Sequence, residues 1–185
     1  MTANREQRRF NDVVVPHLDD ALSLARWLTG SVVDAEDVVQ DACIRAFGAI
    51  NAHNGGNPRA WLLSIVRNTA FTWMAKNRPK MLVVTDDERV FEMAAADMTR
   101  ETALATPEAE VIARDDAAVL NAAIAGLPLT FRETLVLREI EGLSYREISE
   151  ITAAPIGTVM SRLARARGLL LAAIGEAMPH EGRVT

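Results

Sequence analysis

The chain has 185 residues, of which 49% are hydrophobic, 24% charged and only 5% aromatic, and it carries a net charge of −5. This composition is globular, and its richness in alanine, leucine, arginine and glutamate favours helices over sheets. A signal peptide and a membrane helix are not expected, because residues 1–11 are polar and no apolar run is long enough. The single cysteine excludes an internal disulfide, so we expect a cytoplasmic protein. The length allows one ordinary domain or two small ones.

The acidic charge is concentrated in the middle of the chain. Residues 1–79 carry nine basic and eight acidic groups, residues 80–118 carry four and ten, and residues 119–185 carry seven of each. The two flanking segments can therefore present local basic faces to a polyanion, despite the negative total.

Apolar residues recurring every three to four positions predict three helices in the N-terminal segment. Their predicted spans are 12–29, 34–50 and 59–77, with a polar, glycine-bearing loop at 51–58. We expect Asp34 to cap the second helix, which has one continuous apolar stripe. Cys43 lies on that stripe and is interpreted as a small buried hydrophobic residue rather than a redox group.

The segment 80–107 shows little sustained periodicity and is interpreted as an acidic linker, with some helical character over 90–105. Four further helices are predicted after it, over 108–125, 130–141, 145–151 and 155–177. Capping boxes are expected at Thr130 to Glu133 and at Ser144 to Glu147, and Pro155 is expected at the first position of the last helix.

The last two of these helices have the spacing of a helix-turn-helix. Five apolar residues would pack the pair together: Ile148, Ile151, Ile156, Val159 and Leu163. Thr158, Ser161, Arg162 and Arg165 would remain available to donate to DNA phosphates and base edges. The alternative is an ordinary helical hairpin with solvated arginines, and the hairpin by itself does not decide between the two.

Two sets of motifs stand out in the sequence. The first set comprises LARWLTG at 24–30, DAEDVVQD at 34–41, RAF at 45–47, PRAWLL at 58–63 and the pair Arg67 and Asn68. The second set comprises RETLVLREIEGLSYREISEI at 132–151 and PIGTVMSRLARAR at 155–167, preceded by Leu127 and Pro128. The two sets resemble regions 2 and 4, respectively, of one protein family, the extracytoplasmic-function sigma factors of bacterial RNA polymerase. Met160 and Ala164 depart from the family, since lysine and histidine are frequent at those positions.

The resemblance implies an all-α fold of two small helical domains joined by the acidic linker. The implied division is a region 2 domain over 1–79, the linker over 80–107, a region 4 domain over 108–178 and a tail over 179–185. The implied partners are the clamp helices of core RNA polymerase, promoter DNA and an anti-sigma factor that wedges between the domains, with no cofactor and no membrane insertion. In the family the linker threads towards the RNA exit path, although a solubilising tether explains its acidity equally well.

The resemblance also assigns site residues. Polymerase contacts fall on Asp37, Gln40, Asp41 and Arg45. Contacts with the −10 promoter element fall on Asn51, His53, Asn54, Asn57, Arg59, Trp61, Arg67, Asn68, Thr72 and Lys76. Contacts with the −35 element fall on Ser144, Tyr145, Pro155, Thr158, Ser161, Arg162, Arg165 and Arg167.

Simpler interpretations of the same residues remain open. The polar face of the second helix fits a solvated surface, the loop 51–58 fits a polar turn, and Trp61 and Trp73 have a spacing typical of core residues. Two other classes of protein also remain: a helix-turn-helix regulator that works without polymerase, and a sigma mimic that sequesters an anti-sigma factor. The histidines are scattered, and no metal-ligand spacing or nucleophile motif is found, so we do not expect an enzyme. Finally, a polar linker between small domains predicts that the free chain samples several interdomain arrangements.

Overall fold

The structure is a computed structural model, which describes residues 2–82 and 108–177. Every regular element in those ranges is helical, so the prediction of an all-α fold is confirmed. The linker beyond residue 82 and the tail over 179–185 lie outside the described residues. In the part of the chain that the structure describes, none of the helices combines the length and the apolarity that crossing a bilayer requires.

The N-terminal helices are α1 (Thr2–Val13), α2 (Leu18–Thr29), α3 (Val32–Ala49) and α4 (Pro58–Asn77). The C-terminal helices are α5 (Glu108–Gly126), α6 (Leu129–Leu135), α7 (Tyr145–Thr152) and α8 (Ile156–Ala177). Short 3-10 turns at Val15–His17, Ile50–Ala52 and Pro79–Leu82 link or end helices, and a π-helical turn at Val136–Ile140 extends α6.

The single helix predicted over 12–29 spans the end of α1, a 3-10 turn and the whole of α2 in the structure. Pro16 lies in the 3-10 turn that separates α1 from α2, and a proline has no backbone N–H to continue a helix. The sequence reasoning missed most of α1, which packs on α3 through an edge-to-face contact of Phe10 with Phe47 at 5.5 Å between ring centroids. Helices α2, α3 and α4 pack against one another in all three pairs and enclose the N-terminal core.

The cap of α3 also differs from the prediction. Ser31, not Asp34, is the N-cap, and its hydroxyl accepts a hydrogen bond from the Asp34 backbone N–H at 3.3 Å. Gly30 precedes it with a φ of 70°, a conformation that glycine adopts without steric cost and that ends α2. Part of the predicted apolar stripe faces the core, with Ala35, Val38, Ala42 and Ala46 fully buried. Cys43, expected to be buried, is half-buried.

The two predicted capping boxes have opposite outcomes. The box at Ser144 is confirmed, because its hydroxyl accepts from the Glu147 backbone N–H while the Glu147 carboxylate accepts from the Ser144 backbone. The box at Thr130 is wrong, since α6 begins after Pro128 with no side-chain cap. Glu133, expected to reach back to Thr130, is instead fully buried and bonded to the N-terminal domain.

The predicted helix-turn-helix is present as α7 and α8. Ile148, Ile151, Val159 and Leu163 are buried between helices, but Ile156 is 46% exposed and does not pack as expected. Ala153 turns the chain with a φ of 53°, in the left-handed region, so the turn that separates the helices is sharp.

The two helical groups pack directly on each other. Helix α2 contacts α6, and α4 contacts α7, so the four helices meet along one interdomain face. The structure thus shows the two domains packed on each other, and the sampling of several arrangements by the free chain stays a prediction.

Replacing Ser144 with alanine should lower the free energy of unfolding by about 1 kcal/mol, because the first turn of α7 loses its side-chain acceptor. Ser144→Thr keeps the oxygen and is the matched control. A denaturant titration of both variants measures the effect, and equal midpoints for Ser144→Ala and Ser144→Thr would contradict a capping role.

Candidate nucleic-acid and polymerase interfaces

The polar face of α3 points into solvent. Asp37, Gln40, Asp41 and Arg45 are all exposed, and their spacing places them on one side of the helix. Ile44 lies on the same side with 66% of its surface exposed. The face therefore combines charged groups, which water solvates well, with an exposed apolar residue, which a protein partner could cover.

A second exposed row runs along the outer side of α4. Asn68, Thr72 and Lys76 follow one another at intervals of four residues, and all three are exposed. The Thr72 hydroxyl donates to the Asn68 carbonyl oxygen at 2.8 Å, which leaves the hydroxyl oxygen able to accept. The Asn68 amide and the Lys76 ammonium group provide donors for a nucleic-acid backbone, and the Thr72 hydroxyl oxygen between them can accept.

The loop that precedes α4 is held in place by α1. The Asn51 amide donates to the Glu6 carboxylate at 2.7 Å, and Arg9 donates to the His53 carbonyl oxygen. The His53 ring is buried and lies against the Trp61 ring with 4.7 Å between centroids. Of the loop residues assigned to base contacts, Asn54 is exposed, whereas His53 is a packing residue in this arrangement.

Asn57 has two structural partners. Its side-chain oxygen caps α4 by accepting from the backbone N–H groups of Arg59 at 3.0 Å and Ala60 at 3.4 Å. Its amide nitrogen donates to the Glu147 carboxylate on α7 at 2.6 Å. The residue assigned to the −10 element thus joins the start of α4 to the helix-turn-helix.

Arg59 is the most connected side chain of the interdomain face. It donates to the Asp20 carboxylate at 2.7 Å and to the Glu141 carboxylate and carbonyl oxygen, both at 2.6 Å. The Ser23 hydroxyl donates to the other oxygen of the Glu141 carboxylate at 2.8 Å. One guanidinium group from α4 therefore links a carboxylate of α2 to a carboxylate of the C-terminal domain.

Arg67 forms a second interdomain ion pair. Its Nε donates to Glu133 on α6 at 2.6 Å, and its guanidinium group lies over the Phe71 ring at 4.0 Å from the centroid. The Glu133 side chain is fully buried, while that of Arg67 is 19% exposed. Both arginines assigned to the −10 element consequently donate to the C-terminal domain, and Arg67 also donates to the side-chain oxygen of Asn68 at 3.2 Å.

The ionisation of these carboxyl groups reflects their surroundings. Burial raises the pKa of Glu133, an effect that the hydrogen bond from Arg67 and the charges of Arg67 and Arg162 oppose. Burial likewise raises the pKa of Glu141, against the hydrogen bond from Ser23. The pKa of Asp20, which is less buried, is lowered by its hydrogen bond from Arg59. The interface therefore buries the carboxyl groups of Glu133 and Glu141 and shields them from water.

A buried cation completes the interface. Arg132 is 3% exposed and donates to the Leu127 carbonyl oxygen and, across the domains, to the Trp27 carbonyl oxygen at 3.1 Å. Trp27 lies in the last turn of α2, where unpaired carbonyl groups form the negative end of the helix dipole. Burial lowers the pKa of Arg132 to about 10, so the group remains charged at neutral pH.

The outer side of α8 carries the residues assigned to the −35 element. Thr158, Ser161, Arg162 and Arg165 line an open cleft of about 330 Å³ beside Phe131. Arg167 is exposed but pairs with Glu139, and Tyr145 lies under the Arg138 guanidinium group at 4.9 Å. Ser144 is occupied as the cap of α7, and Pro155 is exposed just before α8.

Sequence reasoning missed the interdomain partners. Asp20, Ser23, Arg132, Glu133 and Glu141 lie far along the chain from the groups they bind, so no local spacing relates them. One signal was available: Arg132 and Glu133 lie between the apolar residues Phe131 and Leu135, in the segment 131–137 that is buried throughout.

Comparisons with known proteins agree with both halves of the geometry. Residues 13–79 match the sigma-70 region 2 family, and residues 118–170 match the sigma-70 region 4 family. The chain is 33% identical to the ECF RNA polymerase sigma-E factor of Escherichia coli over 167 residues, which cover 88% of this chain and 84% of the relative. It is 34% identical over 160 residues to the ECF sigma factor SigE of Mycolicibacterium smegmatis, of which it spans only 58%.

Two solved structures are similar to the whole fold. The sigma factor RpoE of Bartonella quintana, crystallised with the anti-sigma factor NepR, has a TM-score of 0.62 and 27% identity over 89% of this chain and 96% of that one. CnrH, in complex with the cytosolic domain of CnrY, has a TM-score of 0.60 and 25% identity over 93% of this chain and 91% of that one. The fold is that of a sigma-70-type transcription initiation factor with regions 2 and 4. More narrowly, the chain belongs to the extracytoplasmic-function sigma factors, and the resemblance seen in the sequence is confirmed.

Proposed function

We propose that this chain binds core RNA polymerase through the exposed polar face of α3 and directs it to promoters through α4 and the helix-turn-helix. The observation that carries the proposal is the pairing of these surfaces in one chain that contains both sigma regions. The α3 face presents Asp37, Gln40, Asp41 and Arg45 together. The α8 face presents hydroxyl and guanidinium groups around one cleft, which suits contacts with phosphates and base edges.

The promoter contacts divide between two helices. Along α4, the row of Asn68, Thr72 and Lys76 supports binding of the separated −10 strand, with Arg59, Arg67 and Trp61 as further candidates. Along α8, Thr158, Ser161, Arg162 and Arg165 are the candidates for the −35 element. His53 and Asn57 belong to the −10 group only if the loop rearranges, because both are occupied in packing or capping.

In the same proposal the protein is a binding subunit of the polymerase, not an enzyme, and it needs no cofactor of its own. It works in the cytoplasm, together with the polymerase. An anti-sigma partner is part of it, because one of the similar solved structures is a sigma factor in complex with the anti-sigma factor NepR. A regulator that acts without polymerase is disfavoured, since it has no use for the α3 face. A mimic is disfavoured by the arginines that line the α8 cleft.

Added to core RNA polymerase on a library of genomic promoter fragments from its host, the protein should produce new transcription start sites. The double variant Asp37→Lys and Asp41→Lys should lose these start sites together with binding to core polymerase, because it reverses two charges on the proposed contact face. Its helicity should be unchanged, since substitutions at exposed positions usually alter stability by only about 0.5 kcal/mol.

The matched control is Asp12→Lys, which reverses an exposed charge on α1, away from the α3 face. Sequencing of the transcripts and a titration with labelled core polymerase provide the two measurements. Absence of new start sites with the unaltered chain would refute the function, whereas full core binding by the folded double variant would refute only the assigned face.

Replacing Arg162 or Arg165 with alanine should weaken transcription from the promoters identified in that experiment. A lost base contact would cost about 1–3 kcal/mol and relax sequence preference at one position, whereas a lost phosphate contact would weaken all sequences alike and reduce the salt dependence. Arg146→Ala, an exposed arginine on α7 paired with Glu150, is the control. Wild-type transcription by both variants at several salt concentrations would remove α8 from the interface.

A further inference from the structure

The loop between α3 and α4 is bonded to a helix that lies almost entirely outside the region 2 match. That match begins at residue 13, whereas Glu6 and Arg9 lie earlier on α1. The Glu6 carboxylate accepts from the Asn51 amide at 2.7 Å, and the Arg9 guanidinium group donates to the His53 carbonyl oxygen. Helix α1 therefore holds two of the loop residues assigned to the −10 element, one by its side chain and the other by its backbone.

Helix α1 is anchored to the domain independently of these two bonds. The Phe10 ring packs edge-to-face on the Phe47 ring of α3. Val14, directly after the helix, is fully buried, and its backbone N–H donates to the Phe10 carbonyl oxygen at 2.8 Å. Because apolar contacts hold the helix in place, the half-buried side chains of Glu6 and Arg9 can be replaced without detaching it.

The remaining contacts of the loop leave only its tip exposed without a contact to α1. The His53 ring is buried against Trp61, and the Asn57 side chain caps α4. Between them lie the exposed residues 54–56, where Gly55 has a φ of 87°, a conformation that glycine adopts without steric cost. Within this tip the Asn54 amide can both donate and accept, as recognition of a base edge requires. Its direction depends on the contacts that hold the backbone before it.

We propose, building on the function proposed above, that Glu6 and Arg9 are positioning residues for base recognition. They hold the loop so that its tip presents Asn54 to one base of the −10 element. Neither side chain touches the DNA in this role. The loop is already ordered when DNA arrives, so binding of the base does not carry the free-energy cost of fixing the backbone.

A loop held in this way affects discrimination between bases more than affinity for the strand. A loop that can reorient turns its amide to suit several bases, whereas a fixed loop leaves a mismatched base with an unpaired donor or acceptor. Affinity for the strand depends mainly on phosphate contacts, for which Asn68 and Lys76 on α4 are candidates. The contacts of α1 should therefore influence sequence preference at one position and leave binding to core polymerase unchanged.

The test uses the promoters identified in the start-site experiment, with each position of the −10 element changed in turn to all four bases. Transcription by core polymerase is compared for the unaltered chain and for the double variant Glu6→Ala and Arg9→Met. Discrimination at one position should fall by about tenfold in the double variant, with preference in the −35 element unchanged. The conservative pair Glu6→Gln and Arg9→Lys keeps an acceptor and a donor for the loop, and should retain most of the preference.

The matched control for charge is Arg8→Met, since Arg8 is exposed on the same helix, one position before Arg9. An arginine that acted only on phosphates would weaken all sequences alike when replaced. Equal effects of Arg8→Met and Arg9→Met, or unchanged discrimination in a folded double variant, would overturn the proposal. Start sites that the unaltered chain fails to produce would instead refute the proposed function itself.

A second variant keeps the test decisive if the double variant does not fold. Asn54→Ala removes an exposed side chain, so the fold should be unaffected. It should abolish preference at the same position of the −10 element as the α1 variants do. Combining it with Glu6→Ala should cause no further loss, because both changes act through one contact. Unchanged preference with Asn54→Ala, or losses that add in the combination, would contradict a positioning role for α1.

Discussion

The contact of Arg59 with Asp20 and Glu141 is the interaction on which the arrangement of this protein depends. Its guanidinium group reaches from α4 to α2 and to the turn after α6, at 2.6–2.7 Å from each acceptor. The ion pair of Arg67 with Glu133 and the buried guanidinium group of Arg132 extend the same face. The Glu133 side chain is fully buried, so removing Arg67 alone would leave a buried charge uncompensated, at a cost of about 3–5 kcal/mol.

This dependence gives the same residues two roles. A helix that binds a nucleic-acid backbone needs cations on its surface, and such cations attract the nearest available carboxylates when no nucleic acid is present. In this chain those carboxylates belong to its own C-terminal domain. The packing of the domains therefore depends on arginines that are also candidates for binding DNA, Arg59 and Arg67, each paired with a carboxylate.

The sequence predicted the helices well wherever one face is apolar and the ends carry local signals. The stripe of α3 and the capping box of Ser144 both depend on residues within a few positions of each other. Thr130 to Glu133 has the same spacing as Ser144 to Glu147, yet Glu133 turns to Arg67, which lies 66 positions away. Local sequence patterns carry no information on such distant partners, so the interdomain interface was not predicted. For the same reason the hydrogen bonds of Arg59 and Asn57 across that interface were not predicted. The roles assigned to individual site residues stay predictions.

The distance between the two domains tests the account most directly. Donor and acceptor dyes on Asn11→Cys and Glu150→Cys, in a Cys43→Ala background, would report it by energy transfer in the full chain, since both positions are exposed and lie on different domains. The account predicts that most molecules of the free protein have a short distance, and that the polymerase complex bound to a promoter has a longer one. A free protein without a population at the short distance, or a distance that the polymerase does not alter, would contradict the account.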